Sequence, residues 1–212
     1  ALYLYTPFHF FHLFVMGNIP QFFAVGLSTW VLWAFGKCAI RPSPARIAIA
    51  SLFFAALILS HHVIAFFMIP FLGLYSVLAA IAVCGPHILK PQYRRHLFMP
   101  LAAYGLGLLL TTIYWLPALG ELDYVFPLED SSHTYANIRD NFVPIKELVG
   151  YVHPPDPAAL IPIRTMNVGQ LQLLVMGLGF LSAIVLFRKL TFWERTHLIV
   201  FPILGAGTIY MM

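Results

Sequence analysis

The chain has 212 residues, of which 60% are hydrophobic and only 9% are charged, with a formal net charge of +4 at pH 7. A soluble domain carries roughly 25% charged residues, so this composition excludes an ordinary soluble protein. Its apolar runs are continuous and long enough to cross roughly 30 Å of hydrocarbon. A transmembrane barrel would instead need short segments of alternating polarity. The sequence therefore predicts an all-α, polytopic bundle of transmembrane helices, and the modest charge calls for no nucleic-acid partner.

Three clusters of basic residues indicate which helix ends face the cytoplasm. Their nine positive charges have one acid among them, Glu194, and the positive-inside rule assigns such loops to the cytoplasm. The clusters are Lys37, Arg41 and Arg46; Lys90, Arg94 and Arg95; and Arg188, Lys189 and Arg195. With this orientation we expect a multi-pass protein of the cell membrane. The predicted helices are 19–36 running inward, 98–119 outward, 168–187 inward, and one from about 197 outward.

The apolar run 47–84 must leave the cytoplasm and return between two of these clusters. One straight helix over this run would be about 57 Å long, nearly twice the thickness of the hydrocarbon layer. We therefore predict two shorter helices, 45–59 and 63–83, joined by a turn at Ser60-His61-His62. This turn is expected at, or just under, the extracytoplasmic surface.

The stretch 120–167 differs from the rest of the chain because it holds seven of the eight acidic residues. We predict an extracytoplasmic loop here, with a short amphipathic helix over 144–151 lying on the membrane. In all, we expect about six membrane segments in a single membrane domain over 1–212. Because the chain starts and ends within apolar sequence, we expect it to be an internal piece of a longer protein.

His61 and His62 are the first candidates for substrate binding. Histidine titrates near neutral pH, so this pair could bind a phosphate or an anionic headgroup, or could transfer protons. The alternative is that both are interfacial turn residues, hydrogen-bonded to carbonyls at a helix end. Because adjacent residues do not share one helix face, we expect at most one of the two to point into a site.

Glu121 and Asp123 are the candidate catalytic residues, since carboxylates held at a helix end near the membrane surface could act as a general base. The alternative is that these acids merely mark the outer flank of a helix. Arg139 is a further candidate for binding a phosphate. We expect no certain cofactor and assign no metal-ligand cluster, although the two carboxylates leave open a divalent cation. The phosphate-binding loop and the dinucleotide fingerprint are both absent from the sequence.

Four blocks of sequence resemble one family of large bacterial membrane proteins, those with a 6-pyruvoyl-tetrahydropterin synthase-related domain. The blocks are TPFHFFHLFVMGNIPQFFAVGL, LILSHHVIAFFMIPFLGLY, IYWLPALGELDYV and YANIRDNFVPIKELV. The synthase itself is a small soluble enzyme whose fold this chain cannot adopt. The architecture that the resemblance implies is similar to that of C-type polytopic glycosyltransferases, which use polyprenyl-phosphate sugars on the outer face of the membrane.

This resemblance implies a protein that transfers a sugar from a polyprenyl-phosphate donor to a cell-envelope acceptor, with the lipid bilayer as its other partner. Three positions depart from the family pattern. Met16 and Gln21 replace an arginine and a glutamate, and His62 replaces an asparagine. Two alternatives stay open: a transporter or flippase of a lipid-linked substrate, and a non-catalytic membrane scaffold. The sequence does not determine the oligomeric state.

Overall fold

The computed structural model describes residues 13–14, 17–121, 124, 145–151, 168–191, 194–195, 197–198 and 201–202. This part of the chain is helical and contains no β-strand, which confirms the all-α prediction. The helices are α1 (Ile19–Ile40), α2 (Pro44–Ser60), α3 (His62–Cys84), α4 (Arg94–Leu110), α5 (Thr112–Gly120), α6 (Ile145–Val149) and α7 (Gln170–Val185).

The chain divides into two compact units. One comprises Phe23–Val125 and Thr191–Leu204; the other comprises Ala1–Phe22, Phe126–Leu190 and Gly205–Met212. The first unit holds most of α1, all of α2 to α5, and the helical residues after Thr191. The single membrane domain over 1–212 and the extracytoplasmic loop over 120–167 stay predictions.

Helices α2 and α3 form the predicted pair, and their ends follow from local chemistry. Ser43 caps α2 by accepting a hydrogen bond from the Arg46 amide at 3.4 Å, and Pro44 occupies the first helical position, where its missing N–H is harmless. The predicted three-residue turn is shorter in the structure. Ser60 is the last residue of α2, His62 is the first of α3, and only the extended backbone of His61 separates them.

The predicted helix over 98–119 is wrong in two respects. It begins earlier, at Arg94, and it bends by 63° at Thr111, which divides it into α4 and α5. The carbonyl of Leu108 accepts hydrogen bonds from the Thr111 amide at 3.2 Å, the Thr111 hydroxyl at 3.0 Å and the Trp115 indole at 3.0 Å. These donors compete with the regular helical hydrogen bond to that carbonyl. A threonine hydroxyl that bonds to a carbonyl of the preceding helical turn in this way often bends the helix.

The core of the first unit lies where α1, α2 and α4 meet. The fully buried Phe54 ring of α2 packs edge-on against Phe35 of α1 and stacks on Tyr104 of α4, with ring centroids 6.0 and 5.3 Å away. The Ser51 hydroxyl, one turn earlier in α2, shares its one proton between the Ile47 carbonyl of its own helix at 2.7 Å and the Ala103 carbonyl of α4 at 3.1 Å. Higher residue numbers in α2 therefore meet higher numbers in α4, so the two helices run in the same direction.

This parallel packing brings the first two basic clusters to one end of the first unit. The start of α2, the start of α4 and the end of α1 lie there, and His96 Nδ1 is 2.7 Å from the Ala39 carbonyl. The shared end carries the first two predicted cytoplasmic clusters. The junction at His61 and the bend at Thr111 follow the opposite ends of α2 and α4.

Within the described residues, two helical segments are long and apolar enough to cross a membrane, Ile19–Ile40 and His62–His87. The bent pair α4–α5 adds a third if it counts as one span, and α2 and α7 are shorter apolar helices. Large apolar side chains such as Leu52 and Phe66 are 61% and 73% exposed on the outer helix faces. Such faces suit a lipid environment. The count of about six membrane segments stays a prediction.

The last predicted helix begins before residue 197. Thr191 and Glu194 form a capping box: the Thr191 amide and hydroxyl both donate to Glu194 Oε2 at 2.8 Å, and the Glu194 amide donates to the Thr191 hydroxyl at 3.3 Å. The Arg195 amide then makes the first helical bond to the Thr191 carbonyl. A threonine followed three residues later by glutamate is a helix-start signal that was readable in the sequence.

In the second unit, α6 lies within the segment predicted to hold an amphipathic helix, and α7 matches the predicted helix over 168–187. The Val168 amide donates to the Leu148 carbonyl at 3.1 Å, which joins the end of α6 to the start of α7. A 3-10 turn, Phe187–Lys189, follows α7 and carries the basic pair Arg188 and Lys189.

Candidate functional site

His61 is the residue that separates α2 from α3, and its side chain caps α3. Its backbone is extended (φ −158°, ψ 107°), and Nδ1 accepts a hydrogen bond from the Ile64 amide at 3.3 Å. A ring nitrogen that accepts carries no proton, so the neutral ring holds its proton on Nε2. The expected alternative, bonds from the histidines to helix-end carbonyls, is therefore wrong for Nδ1, which serves the beginning of a helix.

The ring of His62 stacks on that of His61, with centroids 5.6 Å apart and planes only 5° from parallel. His61 lies between the two helices, and its ring lies beside that of its neighbour. The expectation that at most one of the two histidines points into a site stays a prediction. Burial lowers the pKa of His61 below its ordinary value of 6.5, and repulsion from the charge on His62 lowers it further. The neutral form of His61 is thus favoured near pH 7.

The neutral ring leaves one polar group of His61 available to a ligand. Nδ1 is engaged by the Ile64 amide, and Nε2–H makes no hydrogen bond to any residue that the structure describes. His62 is exposed beside it. The junction therefore presents a hydrogen-bond donor on a capped, fixed ring, at the end of the first unit opposite the basic clusters.

Glu121 follows the last residue of α5, and its amide donates to the Pro117 carbonyl at 2.9 Å. Its carboxylate is exposed, and within the described residues it makes no hydrogen bond or ion pair. The other two candidates, Asp123 and Arg139, lie outside the described residues. The predicted pairing of the two carboxylates, and their option of a divalent cation, therefore stay predictions.

The parallel arrangement of α2 and α4 brings His61 and the bend at Thr111 to one end of the unit. From that bend, α5 leads over nine residues to Glu121, about 14 Å at 1.5 Å per residue. No hydrogen bond or ion pair joins Glu121 to either histidine in the part of the chain that is described. Nor do three or more His, Cys, Asp or Glu side chains group there in a way that could hold a metal ion.

A second feature was missed in the sequence: a cavity of about 540 Å³ beside α1. Its walls come from one face of α1, from Tyr75 of α3, and from His197 and Phe201 after the capping box. Tyr75 Oη lies 3.2 Å from His197 Nε2. The α1 wall was visible in principle, since its residues recur every three or four positions: Thr29, Leu32, Trp33, Gly36, Lys37 and Ile40.

Comparison with known proteins gives a match to a family model. No curated protein and no solved structure matches the chain. A family model described as "6-pyruvoyl-tetrahydropterin synthase related domain; membrane protein" matches residues 1–153, about 72% of the 212 residues. The matched region includes the histidine junction and Glu121, and it agrees with the resemblance seen in the four sequence blocks. The chain therefore belongs to this family of 6-pyruvoyl-tetrahydropterin synthase-related membrane proteins.

Proposed function

We propose that this membrane protein is a glycosyltransferase that moves a sugar from a polyprenyl-phosphate donor to a cell-envelope acceptor on the extracytoplasmic face. The observation that carries the proposal is the neutral, capped ring of His61, whose Nε2–H is available at the α2–α3 junction. A donor of this kind suits the phosphate oxygens of a lipid-linked sugar. The similarity in architecture to C-type glycosyltransferases supplies the reaction class and is an analogy of fold.

In the proposed reaction, a carboxylate acts on the acceptor, and the histidines act on the phosphate of the donor. The acceptor hydroxyl attacks the anomeric carbon of the sugar and loses its proton to a carboxylate, Glu121 or Asp123. The bond between that carbon and the phosphate oxygen breaks, and its electron pair leaves with the polyprenyl phosphate. His61 Nε2–H, with His62 and Arg139 beside the phosphate, stabilises the charge that develops on this leaving group.

The size of α2 supports a lipid-linked donor. Its 17 residues extend over about 25 Å, less than the roughly 30 Å of the hydrocarbon layer. His61 would then lie slightly below the headgroups if the start of α2 is at the opposite surface. A phosphate attached to a membrane-embedded polyprenyl chain can reach this depth, whereas a water-soluble sugar nucleotide would have to leave the aqueous phase.

The test is an activity measurement that separates the two roles of His61. His61→Asp keeps an oxygen that can cap α3 but removes the donor and adds a charge that repels phosphate. A hydrogen bond to a charged group contributes roughly 1.5–3 kcal/mol, so transfer should fall by roughly 10- to 100-fold. The readout is transfer of radiolabelled sugar from the polyprenyl-phosphate pool to the envelope fraction, together with accumulation of the donor.

His87→Ala is the matched control, since His87 is exposed in the 3-10 turn at the basic end of the unit. It should leave transfer unchanged. Normal turnover by a well-inserted His61→Asp protein would refute the assignment of His61. Glu121→Gln tests the base in the same assay, and unchanged turnover there would leave Asp123 as the remaining candidate.

The face of the membrane needs its own experiment, because the proposal requires the junction to be outside. Single cysteines replace His61, Glu121 and Arg94 in a cysteine-free background. We expect labelling of positions 61 and 121 from outside intact cells, and of position 94 only after permeabilisation. Labelling of position 94 from outside would invert the topology. A position 61 that stays unreachable while 121 labels would favour the transporter.

A further inference from the structure

The cavity beside α1 lies away from the histidine junction and serves no step of the proposed reaction. It extends along α1 from Thr29 to Ile40, which is about 16 Å at 1.5 Å per residue. We propose that this groove binds one anionic phospholipid, with the phosphate at Lys37 and part of an acyl chain along the α1 wall.

The position of the groove in the fold indicates a lipid as its occupant. The wall belongs to Ile19–Ile40, one of the two described segments that can span a membrane by length and composition. Leu32, Trp33 and Phe201 give the lining an apolar and aromatic character. A volume of about 540 Å³ is within the range of about 300–1,000 Å³ typical of small-molecule sites. It suits a headgroup with part of one chain, not a whole lipid.

The charge at one end of the groove indicates that the lipid is anionic. Lys37 lies in the last turn of α1, four residues before Arg41, at the end of the unit where the basic clusters gather. Lys37 forms no ion pair with a described residue. The acid after Thr191, Glu194, is already held by the capping box. Basic pockets between helices at the cytoplasmic side are suited to anionic headgroups.

The Tyr75–His197 pair gives the opposite wall a polar element. The Tyr75 side chain is only 3% exposed, and its hydroxyl lies 3.2 Å from His197 Nε2. Phe201 closes this wall, with its ring centroid 6.1 Å from that of Tyr75 and 5.4 Å from that of His197. The hydroxyl and the imidazole make this wall more polar than the rest of the apolar lining.

A simpler reading is that Lys37 only snorkels toward water and complements the negative end of the α1 dipole. In that case the groove fills with any lipid, and the charge of the headgroup has no effect on occupancy. The experiment therefore has to compare headgroups at this groove and not measure lipid binding to the protein as a whole.

Trp33 provides the local readout because it lines the groove. The full chain is reconstituted in nanodiscs with Trp33 retained and the other three tryptophans, Trp30, Trp115 and Trp193, replaced by phenylalanine. Its fluorescence is quenched with phosphatidylglycerol or phosphatidylcholine that carries brominated acyl chains. We expect brominated phosphatidylglycerol to quench half of the fluorescence at a mole fraction about fivefold lower than brominated phosphatidylcholine. This ratio corresponds to about 1 kcal/mol, the contribution of one lysine to binding an anionic headgroup.

Three variants decide between the two readings. Lys37→Gln should remove the preference for phosphatidylglycerol, whereas Lys37→Arg should keep it. Lys90→Gln should also keep it, since Lys90 belongs to the same basic end but does not line the groove. Equal quenching by the two lipids in the unmodified background, or an unchanged preference in Lys37→Gln, would overturn the proposal. Neither outcome bears on the sugar-transfer proposal, which rests on the other end of the unit.

Discussion

The cap that His61 provides to α3 predicts a stability that depends on pH in a specific way. His61→Ala removes the acceptor of the Ile64 amide and should cost about 1 kcal/mol at pH 8, the usual value for losing a helix cap. In a chain of this size that corresponds to a fall in the unfolding temperature of about 2–4 °C. His61→Asn offers an oxygen to the same amide, so its stability at pH 8 should match that of the unmodified protein.

Lower pH should separate the unmodified protein from His61→Asn. The folded state lowers the pKa of His61 below its ordinary value of 6.5, so the unfolded chain binds more protons between these two values. Stability therefore rises with pH across this window. The contribution of the neutral ring is complete above about pH 6.5 and is lost as the pH falls through the lower, folded pKa. Protonation of Nδ1 also places a positive charge at the positive end of the α3 dipole.

The assay is thermal unfolding in detergent, followed by tryptophan fluorescence between pH 5 and pH 8, for the three proteins side by side. Contributions from histidines common to all three largely cancel in the differences. We expect the unfolding temperature of the unmodified protein to equal that of His61→Asn at pH 8 and to fall toward that of His61→Ala at pH 5. If the difference in unfolding temperature between the unmodified protein and His61→Asn stays constant across this range, the capping role is refuted.

Three further predictions concern the packing of α4 and the last helix, and each is measured by stability or exchange. Gly107→Ala should destabilise the protein by roughly 1–3 kcal/mol, because a new Cβ would lie 2.7 Å from the buried ring of Phe54. The control Gly105→Ala, with open space around it, should be neutral or stabilising. Equal losses of unfolding free energy in the two variants would contradict the packing. Ser51→Ala should lose roughly 0.6 kcal/mol with its bond to the α4 backbone, and a gain in unfolding temperature would argue against that bond. Glu194→Ala should speed hydrogen exchange in the last helix, while Glu194→Gln, which preserves a capping acceptor, should not; identical exchange in both would exclude the capping box.

Helix positions in this protein were largely predictable because they depend on neighbouring residues. Basic clusters and apolar runs predicted α1, α2 and α3 to within a few residues, and Pro44 and Ser43 show why α2 begins where it does. The start of the last helix was also predictable from the spacing of Thr191 and Glu194, although the helix was predicted to begin only at about residue 197. The bend at Thr111 depends on three donors that meet at one carbonyl. The helix propensities of the individual residues do not predict this arrangement.

The sequence identified which residues form the candidate site, but it did not predict their hydrogen bonds or the stacking of their rings. The sequence marked His61 and His62 because polar side chains interrupt an apolar run. It could not show that His61 Nδ1 is already used by the Ile64 amide, nor that the two rings stack. Those facts depend on a single residue leaving the helical conformation. In the proposed function they favour a neutral donor over a titrating cation for His61.

The sequence by itself determined the class of the protein, its helical segments and the end of each helix that carries positive charge. These follow from the free energy of apolar side chains in a bilayer and from hydrogen bonds between residues four apart. Only the tertiary structure decided that α2 and α4, which were both predicted to run outward, pack directly against each other through Ser51 and Phe54, and that Lys37, Tyr75 and His197 share one groove. Contacts between helices join residues that are distant in the chain, and many pairings of apolar helix faces bury similar area. Small features, such as a glycine that admits an aromatic ring, select one of them.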